Sequence, residues 1–167
     1  ETLVIKANDE RKWYEHIGIF FGSSKITVYL PENEYSSLNI EESTGYINVP
    51  SDFMFENVDI TASTGYVKIN ASASESMSIE TDTGAVSVND AKVGSLDVTV
   101  STGTVELSSL ACDGNLTVSV STGITQIKDV TCKSFNTNGS TGDVSMTNVK
   151  AHEKFTITRS TGDVEFE

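Results

Sequence analysis

The side chains that most often carry acid–base or nucleophilic chemistry are sparse or scattered in this chain. Histidine occurs only twice, at His16 and His152, although imidazole is the side chain that exchanges protons most readily near neutral pH. Serine and aspartate are so abundant that a Ser-His-Asp set can be drawn in many ways, which makes it uninformative. The sequence also lacks a glycine-rich phosphate-binding loop. It therefore predicts a protein that is not an enzyme and uses no cofactor.

Two aspartates are a weak candidate for a metal site. Asp143 and Asp163 each follow the glycine of a Ser-Thr-Gly sequence, so stacked repeats would place their carboxylates about 4.8 Å apart, one strand spacing. Such a pair could bind Ca²⁺, but two side chains in this arrangement more often diverge into water. The spacing of glycine and aspartate also differs from that of the nonapeptide Ca²⁺-binding repeat. We predict no metal.

Two cysteines, Cys112 and Cys132, lie 20 residues apart and share one position in successive repeats. We expect them to be stacked neighbours that point inward. A disulfide is one alternative, but parallel neighbours in register have awkward Cβ directions for that bond. Two reduced thiols in the core are the favoured interpretation. No cysteine or histidine spacing here resembles a zinc site.

A repeat must position all of these residues. Ser-Thr-Gly, or a close variant, recurs seven times at steps of 19 or 20 residues. Seven and five residues before each glycine, and two and four residues after it, the residues are apolar except at Thr125 and Thr137, which is the period of a strand. A unit this short cannot bury its own core, but stacked units can. The sequence predicts an all-β, single-stranded parallel β-solenoid (β-helix) of about seven coils over residues 35–167.

The Ser-Thr-Gly sequence is interpreted as a structural corner, because glycine enters positive φ without steric cost. The threonine before it keeps the inward parity, so we expect its methyl to pack inside the solenoid. Catalysis or covalent modification at these sites is the disfavoured alternative, since a sequence present in every unit usually serves the architecture. The corner residues are Thr44, Gly45, Thr64, Gly65, Thr83, Gly84, Thr102, Gly103, Thr122, Gly123, Thr141, Gly142, Thr161 and Gly162.

The two ends of the chain depart from this pattern. Residues 1–34 lack the repeat, and they include the aromatic-rich segment 13–21 and the alternating segment 25–30, which ends at Pro31. We predict that they form an N-terminal β cap, in one structural domain with the solenoid, because a solenoid end needs a lid. Weak self-association through the uncapped C-terminal coil is a further expectation. The position three residues before glycine is charged only at Glu42 and Arg159, as expected if the terminal coils meet solvent.

The net charge of the chain limits the classes of partner that we expect. The net charge is −13, from 24 acidic and 11 basic residues, which disfavours nucleic acid and anionic membrane surfaces. The sequence has no apolar run near 18 residues, so we expect no direct membrane insertion by this segment. The chain begins at Glu1 rather than at methionine. A removed signal peptide or anchor and a trimmed chain both fit that start.

A pair of tyrosines is the binding candidate. Tyr46 and Tyr66 follow the first two corner glycines and are predicted to be stacked and exposed, beside Asn48 and Lys68. Two aromatic rings with an amide and an ammonium group can hold a sugar or a peptide segment. The alternative, which the sequence favours, is that tyrosine is simply a good strand residue on a solvated face.

The units 155–166 (FTITRSTGDVEF) and 135–146 (FNTNGSTGDVSM) resemble a large bacterial family of β-helical envelope proteins that carries an adhesin label by inference. The resemblance covers roughly residues 25–167, including the segment ITVYLPENEYSSLNIEESTG. It implies an extracytoplasmic or cell-surface location and supplies no catalytic residues. Related proteins have been tied to envelope-stress sensing.

Three classes of function follow. The first is a non-catalytic, adhesin-like surface module whose partner is an envelope or host-surface ligand, either glycan or protein. The second is a structural or regulatory envelope-stress protein that acts through protein–protein contacts. The third and least favoured is a polysaccharide-active enzyme of the β-helix type, which would need a cleft with converging acidic or basic groups.

Overall fold

The computed structural model describes residues 26–31 and 33–167. The chain divides into two compact units, Glu1–Pro31 and Glu32–Glu167. Residues 26–31 form no regular strand, which differs from the strand expected at 25–30. Residues 1–25 lie outside the described residues, and with them most of the predicted cap, which stays a prediction.

The second unit is an all-β solenoid of about seven turns. It is built from one parallel sheet whose strands pair in chain order, with an additional pairing between β3 and β5. The strands are β1 (Glu34–Val49), β2 (Met54–Ile69), β3 (Ser72–Asn89), β4 (Lys92–Val93), β5 (Leu96–Cys112), β6 (Asn115–Thr141), β7 (Val144–Thr161) and β8 (Val164–Phe166). No helix of the described residues has the length and apolar character needed to cross a membrane. The predicted fold class is confirmed.

The core consists of ladders of like residues, because successive coils pair in register. Ile60 lies opposite Ile79, and Ile79 lies opposite Val98, and all three are essentially inaccessible to solvent. Equivalent ladders run through the other predicted apolar positions in the central coils. In the last coil Phe155, at the first apolar position of its repeat, is exposed. Burial is therefore complete only where a coil has neighbours on both sides.

The corner threonines correct one expectation. All seven of them, Thr44, Thr64, Thr83, Thr102, Thr122, Thr141 and Thr161, are exposed rather than packed inside. The reason lies in the spacing of the inward residues around the corner. In the fourth coil the buried Val100 and Val105 are five residues apart, an odd number that breaks the alternation of a strand. Ser101 and Thr102 therefore both project outward and are exposed.

The glycine of the corner is required for two reasons. From Gly65 onward, six corner glycines have φ between +123° and +153°, which L-residues with a side chain rarely adopt. In addition, a Cβ at Gly103 would overlap the carbonyl oxygen of Gly84 in the preceding coil, and the same overlap recurs at the other five. Gly45 lies outside both constraints, since the nearest atoms to its Cβ would be at 3.7 Å, on Glu42.

A second corner lies six residues after the glycine and was not predicted. Asp90, Ser109, Asp129 and Asn148 occupy this position, and all have φ of 53° or 54°, in the left-handed region. Short polar residues tolerate that region because their side chains can hydrogen-bond locally. Asn148 Nδ2 also donates to Asp129 Oδ1 at 2.7 Å across the coils.

Arg159 also differs from expectation, because its guanidinium reaches into the solenoid instead of meeting solvent. Nη1 donates to the carbonyl oxygen of Val120 at 2.8 Å, and Nη2 donates to Thr125 Oγ1 at 2.9 Å. Both acceptors belong to the fifth coil, although Arg159 belongs to the seventh. Gly139, in the coil between, makes room, since a Cβ there would overlap both the guanidinium and the Val120 carbonyl. Burial lowers the pKa of Arg159.

The glycine corner yields a first prediction. Gly103→Ala should lower the free energy of unfolding by about 3 kcal/mol, because it combines an unfavourable φ with a backbone overlap. Gly45→Ala is the matched control and should change it by less than about 1 kcal/mol. Urea denaturation followed by circular dichroism would measure both. Equal midpoints for the two variants would contradict the proposed role of the stacked carbonyl.

Buried hydroxyl groups yield a second prediction. Thr81 Oγ1 is buried without a hydrogen-bond partner among the described residues, whereas Thr125 Oγ1 accepts from Arg159. Thr81→Val should therefore stabilise the fold by about 1 kcal/mol, and Thr125→Val should destabilise it by a similar amount. The same denaturation experiment compares them. A loss of stability in Thr81→Val would show that its hydroxyl has a partner.

Candidate functional site

The candidate site is the tyrosine patch, which we define as Tyr46, Asn48, Tyr66 and Lys68. β1 and β2 position it, because their parallel register places Tyr46 opposite Tyr66 and Asn48 opposite Lys68. The two tyrosine rings are stacked, with centroids 5.4 Å apart and an interplanar angle of 24°. The structure therefore brings all four predicted residues together on adjacent strands.

Both rings remain open to solvent. Tyr46 is 61% exposed and Tyr66 is 37% exposed, so their stacking on each other covers only part of their surface. They alternate with the buried Ile47 and Val67, as side chains on opposite faces of a strand must. The fold thus holds two aromatic rings in fixed positions at the surface without using them in its core.

The surface around the rings differs in charge from the rest of the chain. In the first three coils, the outward positions one, three and five residues after the corner glycine carry no carboxylate. They are Tyr46, Asn48, Pro50, Tyr66, Lys68, Asn70, Ala85, Ser87 and Asn89. Glu106, in the fourth coil, is the first acid on this face. These positions therefore lack the acids that give the chain its net charge of −13. Glu42, however, places its carboxylate at the corner before Tyr46, where its Oε1 accepts from the Thr44 N–H at 3.2 Å.

Polar side chains beside the rings are ordered by hydrogen bonds. Asn89 Nδ2 donates to Ser87 Oγ at 2.7 Å, and Ser108 Oγ donates to Asn89 Oδ1 at 2.6 Å. Asn70 Nδ2 donates to the carbonyl oxygen of Asn89 at 3.3 Å. Lys68 forms no ion pair with any residue that the structure describes. Its ammonium group therefore remains available next to a prearranged polar surface.

One feature of this face escaped the sequence reasoning. The column that carries Tyr46 and Tyr66 continues with Ala85, which lies directly opposite Tyr66, and then with Thr104. At Ala85 the column therefore changes from an aromatic ring to a methyl group, and we refer to this step as the recess over Ala85. The signal is present in the sequence, in the residues directly after the corner glycines.

The weak metal candidate has a structural use. Asp143 Oδ1 accepts a hydrogen bond from the backbone N–H of Asp163 at 3.0 Å, so one carboxylate of the pair orders the following coil. Among the described residues, no three His, Cys, Asp or Glu side chains are grouped closely enough to hold a metal ion. Two carboxylates of which one is already engaged make a poor Ca²⁺ site, which needs six to eight oxygens.

Two shallow grooves are further places where a ligand could lie. One, of about 260 Å³, is lined by Ala111, Cys112, Asp113, Thr131, Lys133, His152 and Glu153. Within it, Lys133 Nζ lies 3.5 Å from Glu153 Oε1. The second, of about 350 Å³, is lined by Glu41, Glu42, Ser43, Thr61 and Ser63. His152 is exposed, and His16 lies outside the described residues.

The cysteines occupy the interior position assigned to them. Cys112 and Cys132 are both buried and carry free thiols; Cys112 Sγ lies 3.4 Å from the carbonyl oxygen of Asn115. Burial raises the pKa of both thiols; that of Cys132 rises from 9.0 to about 11, with a smaller contribution from Cys112. The nucleophilic thiolate is thereby suppressed at neutral pH.

The buried thiols yield a third prediction. Because the pKa of Cys132 is higher in the folded than in the unfolded chain, stability should be full below pH 9 and should fall as the pH rises toward 11. Cys132→Ala should flatten this fall, and thermal denaturation between pH 8 and 11 would measure it. At pH 8 the folded protein should resist a thiol reagent. Labelling as fast as that of a free cysteine would show that the thiols are accessible.

Comparison with known proteins supplies one match. Residues 1–165 match the model of the family described as Toastrack DUF4097. No curated protein matches the chain. No solved structure matches it either.

Proposed function

The chain belongs to the Toastrack DUF4097 family, a family of unknown function, and we propose that it acts as a non-catalytic, adhesin-like binding module. In this proposal the protein works outside the cytoplasm, at the cell surface or in the envelope. The tyrosine patch is its contact site, and the ligand is a glycan or a protein of an envelope or host surface. The location rests on the resemblance of the repeats 135–146 and 155–166 to envelope proteins.

The observation that carries the proposal is the pair of stacked and exposed rings of Tyr46 and Tyr66. Aromatic side chains that are held rigidly at a surface provide a large amphipathic contact area and lose little conformational entropy on binding. The pair is stabilised by its own stacking and by the two strands that carry it. A ligand would therefore meet a preorganised surface, which reduces the cost of binding.

The arrangement of polar groups supports binding rather than catalysis. Within the patch, Lys68 and Asn48 can donate hydrogen bonds, but the positions one, three and five residues after glycine in the same three coils carry no carboxylate to act as a general acid or base. The two grooves are shallow rather than enclosed, whereas an active site normally excludes water around its reacting groups. Binding through a flat, rigid face is the chemistry that these residues favour.

The proposal predicts that the double variant Tyr46→Ala with Tyr66→Ala loses binding at least about tenfold while the thermal midpoint stays within a few degrees. Removal of the rings costs contact area but leaves the core intact. Binding would be measured with the labelled protein on intact bacterial and epithelial cells and on arrays of glycans and peptides.

Ile124→Ala is the matched control, because Ile124 is an exposed apolar residue at the same position of the fifth coil. It should leave binding unchanged. If the double variant binds as the parent does, the patch is not the contact site. If the double variant unfolds at a much lower temperature, the rings serve the fold instead.

A further inference from the structure

We infer that the ligand of the tyrosine patch is a neutral glycan, one pyranose ring of which stacks on Tyr66 in the recess over Ala85. This inference rests on the proposed function and adds the class of ligand and its position. It depends on the order of residues along one column, Tyr46, Tyr66, Ala85 and Thr104, and on the charges that flank that column.

The spacing of the coils is close to the spacing of the two stacked rings. Coils of a parallel sheet repeat every ~4.8 Å, and the two tyrosine centroids are 5.4 Å apart. Ala85 lies opposite Tyr66 and Thr104 lies opposite Ala85, so the column carries only a methyl group in the coil after Tyr66. A flat ring placed over Ala85 would continue the stack as its third member, with one face on Tyr66.

The groups beside the recess select a sugar. Two residues further along the same strands, Lys68 lies opposite Ser87, and Ser87 lies opposite Glu106. Ser87 itself is only 2% exposed, so the ammonium and carboxylate groups are placed at one side of the recess and not across an open gap. Neither of these side chains forms an ion pair within the described chain. A pyranose has an apolar C–H face for the tyrosine and a rim of hydroxyls that can accept from Lys68 and donate to Glu106.

Lys68 and Glu106 also disfavour other classes of ligand. An aromatic side chain of a peptide could stack on Tyr66, but it would leave the charges of Lys68 and Glu106 without polar partners at its rim. An anionic sugar would meet Glu106, and a cationic one would meet Lys68, so each would suffer repulsion from one side. A neutral hexose or N-acetylhexosamine can hydrogen-bond to both Lys68 and Glu106 without repulsion from either.

The experiment fills the recess. Ala85→Tyr should extend the stack with a protein ring and occupy the place of the sugar, whereas Ala85→Ser keeps the recess open. The probes are neutral oligosaccharides of six units, namely cello-, manno-, laminari- and chitohexaose, at millimolar concentration. Binding to the full chain would be detected by saturation-transfer NMR and measured by chemical-shift titration.

The inference predicts that the parent and Ala85→Ser bind at least one probe with equal affinity. Ala85→Tyr and Tyr66→Ala should each weaken that binding about tenfold, and Tyr46→Ala should weaken it less, because its ring is one coil further away. Ile124→Tyr, which adds a ring at the same position of the fifth coil, should have no effect. Circular dichroism and the thermal midpoint would verify that each variant is folded.

Three outcomes would overturn the inference. The first is that none of the four oligosaccharides binds to the parent. The second is that Ala85→Tyr binds as well as Ala85→Ser. The third is that Ile124→Tyr weakens binding as much as Ala85→Tyr does. The proposed function is tested separately: if Tyr46→Ala with Tyr66→Ala abolishes binding to cells or to arrayed peptides, it stands, and the patch contacts a ligand other than a neutral glycan. If the double variant binds these surfaces as the parent does, the proposed function fails as well.

Discussion

The close approach of one glycine to the carbonyl oxygen of the glycine below it is the contact on which the rest of the solenoid depends. Each of the six stacked corners after the first leaves no room for a Cβ, so only one residue of each repeat can occupy that place. The register of the coils is thereby fixed at a single point of each turn. In a parallel sheet, a slip of one residue would exchange the inward and outward faces. The ladders of the core and the tyrosine stack are both consequences of this one alignment.

The sequence was sufficient to predict the ladders, because a regular period and two-residue alternation leave few ways to bury the apolar residues. It was not sufficient at the corners. Thr102 is exposed because the buried Val100 and Val105 are separated by an odd step of five residues. Alternation alone does not predict at which residue the inward and outward positions exchange. The second corner at Asp90 and Asn148 has a signal in the sequence, since short polar residues recur at that position. The same residues are common on any solvated surface, so the signal does not distinguish a corner from an exposed strand.

Compensation between coils was the hardest feature to predict. Gly139 and Arg159 occupy the same position of successive repeats, and a missing side chain beside a long one is a visible signal. A buried cation is nevertheless costly, so an exposed arginine was the natural expectation. The tyrosine patch shows the opposite case. Its stacking could be predicted from register alone, whereas the recess at Ala85 gains meaning only beside Tyr66 and the charged residues that flank it. Outward positions have few packing constraints, so the fold alone does not specify their residue types.

Arg159 alters how the solenoid comes apart. A stack in which each coil contacts only its neighbours behaves as a one-dimensional array, from which terminal coils can peel away one at a time. Arg159 bonds across an intervening coil to Val120 and Thr125, so it couples the seventh coil to the fifth. If the last coil detached, the Val120 carbonyl oxygen and Thr125 Oγ1 would lose the hydrogen bonds that Arg159 donates. The sixth coil, which lies between, has little freedom to open alone. The C-terminal three coils should therefore exchange their amide hydrogens as one cooperative unit. The guanidinium of Arg159 holds these coils together at the end of the solenoid where Phe155, Val164 and Phe166 are exposed.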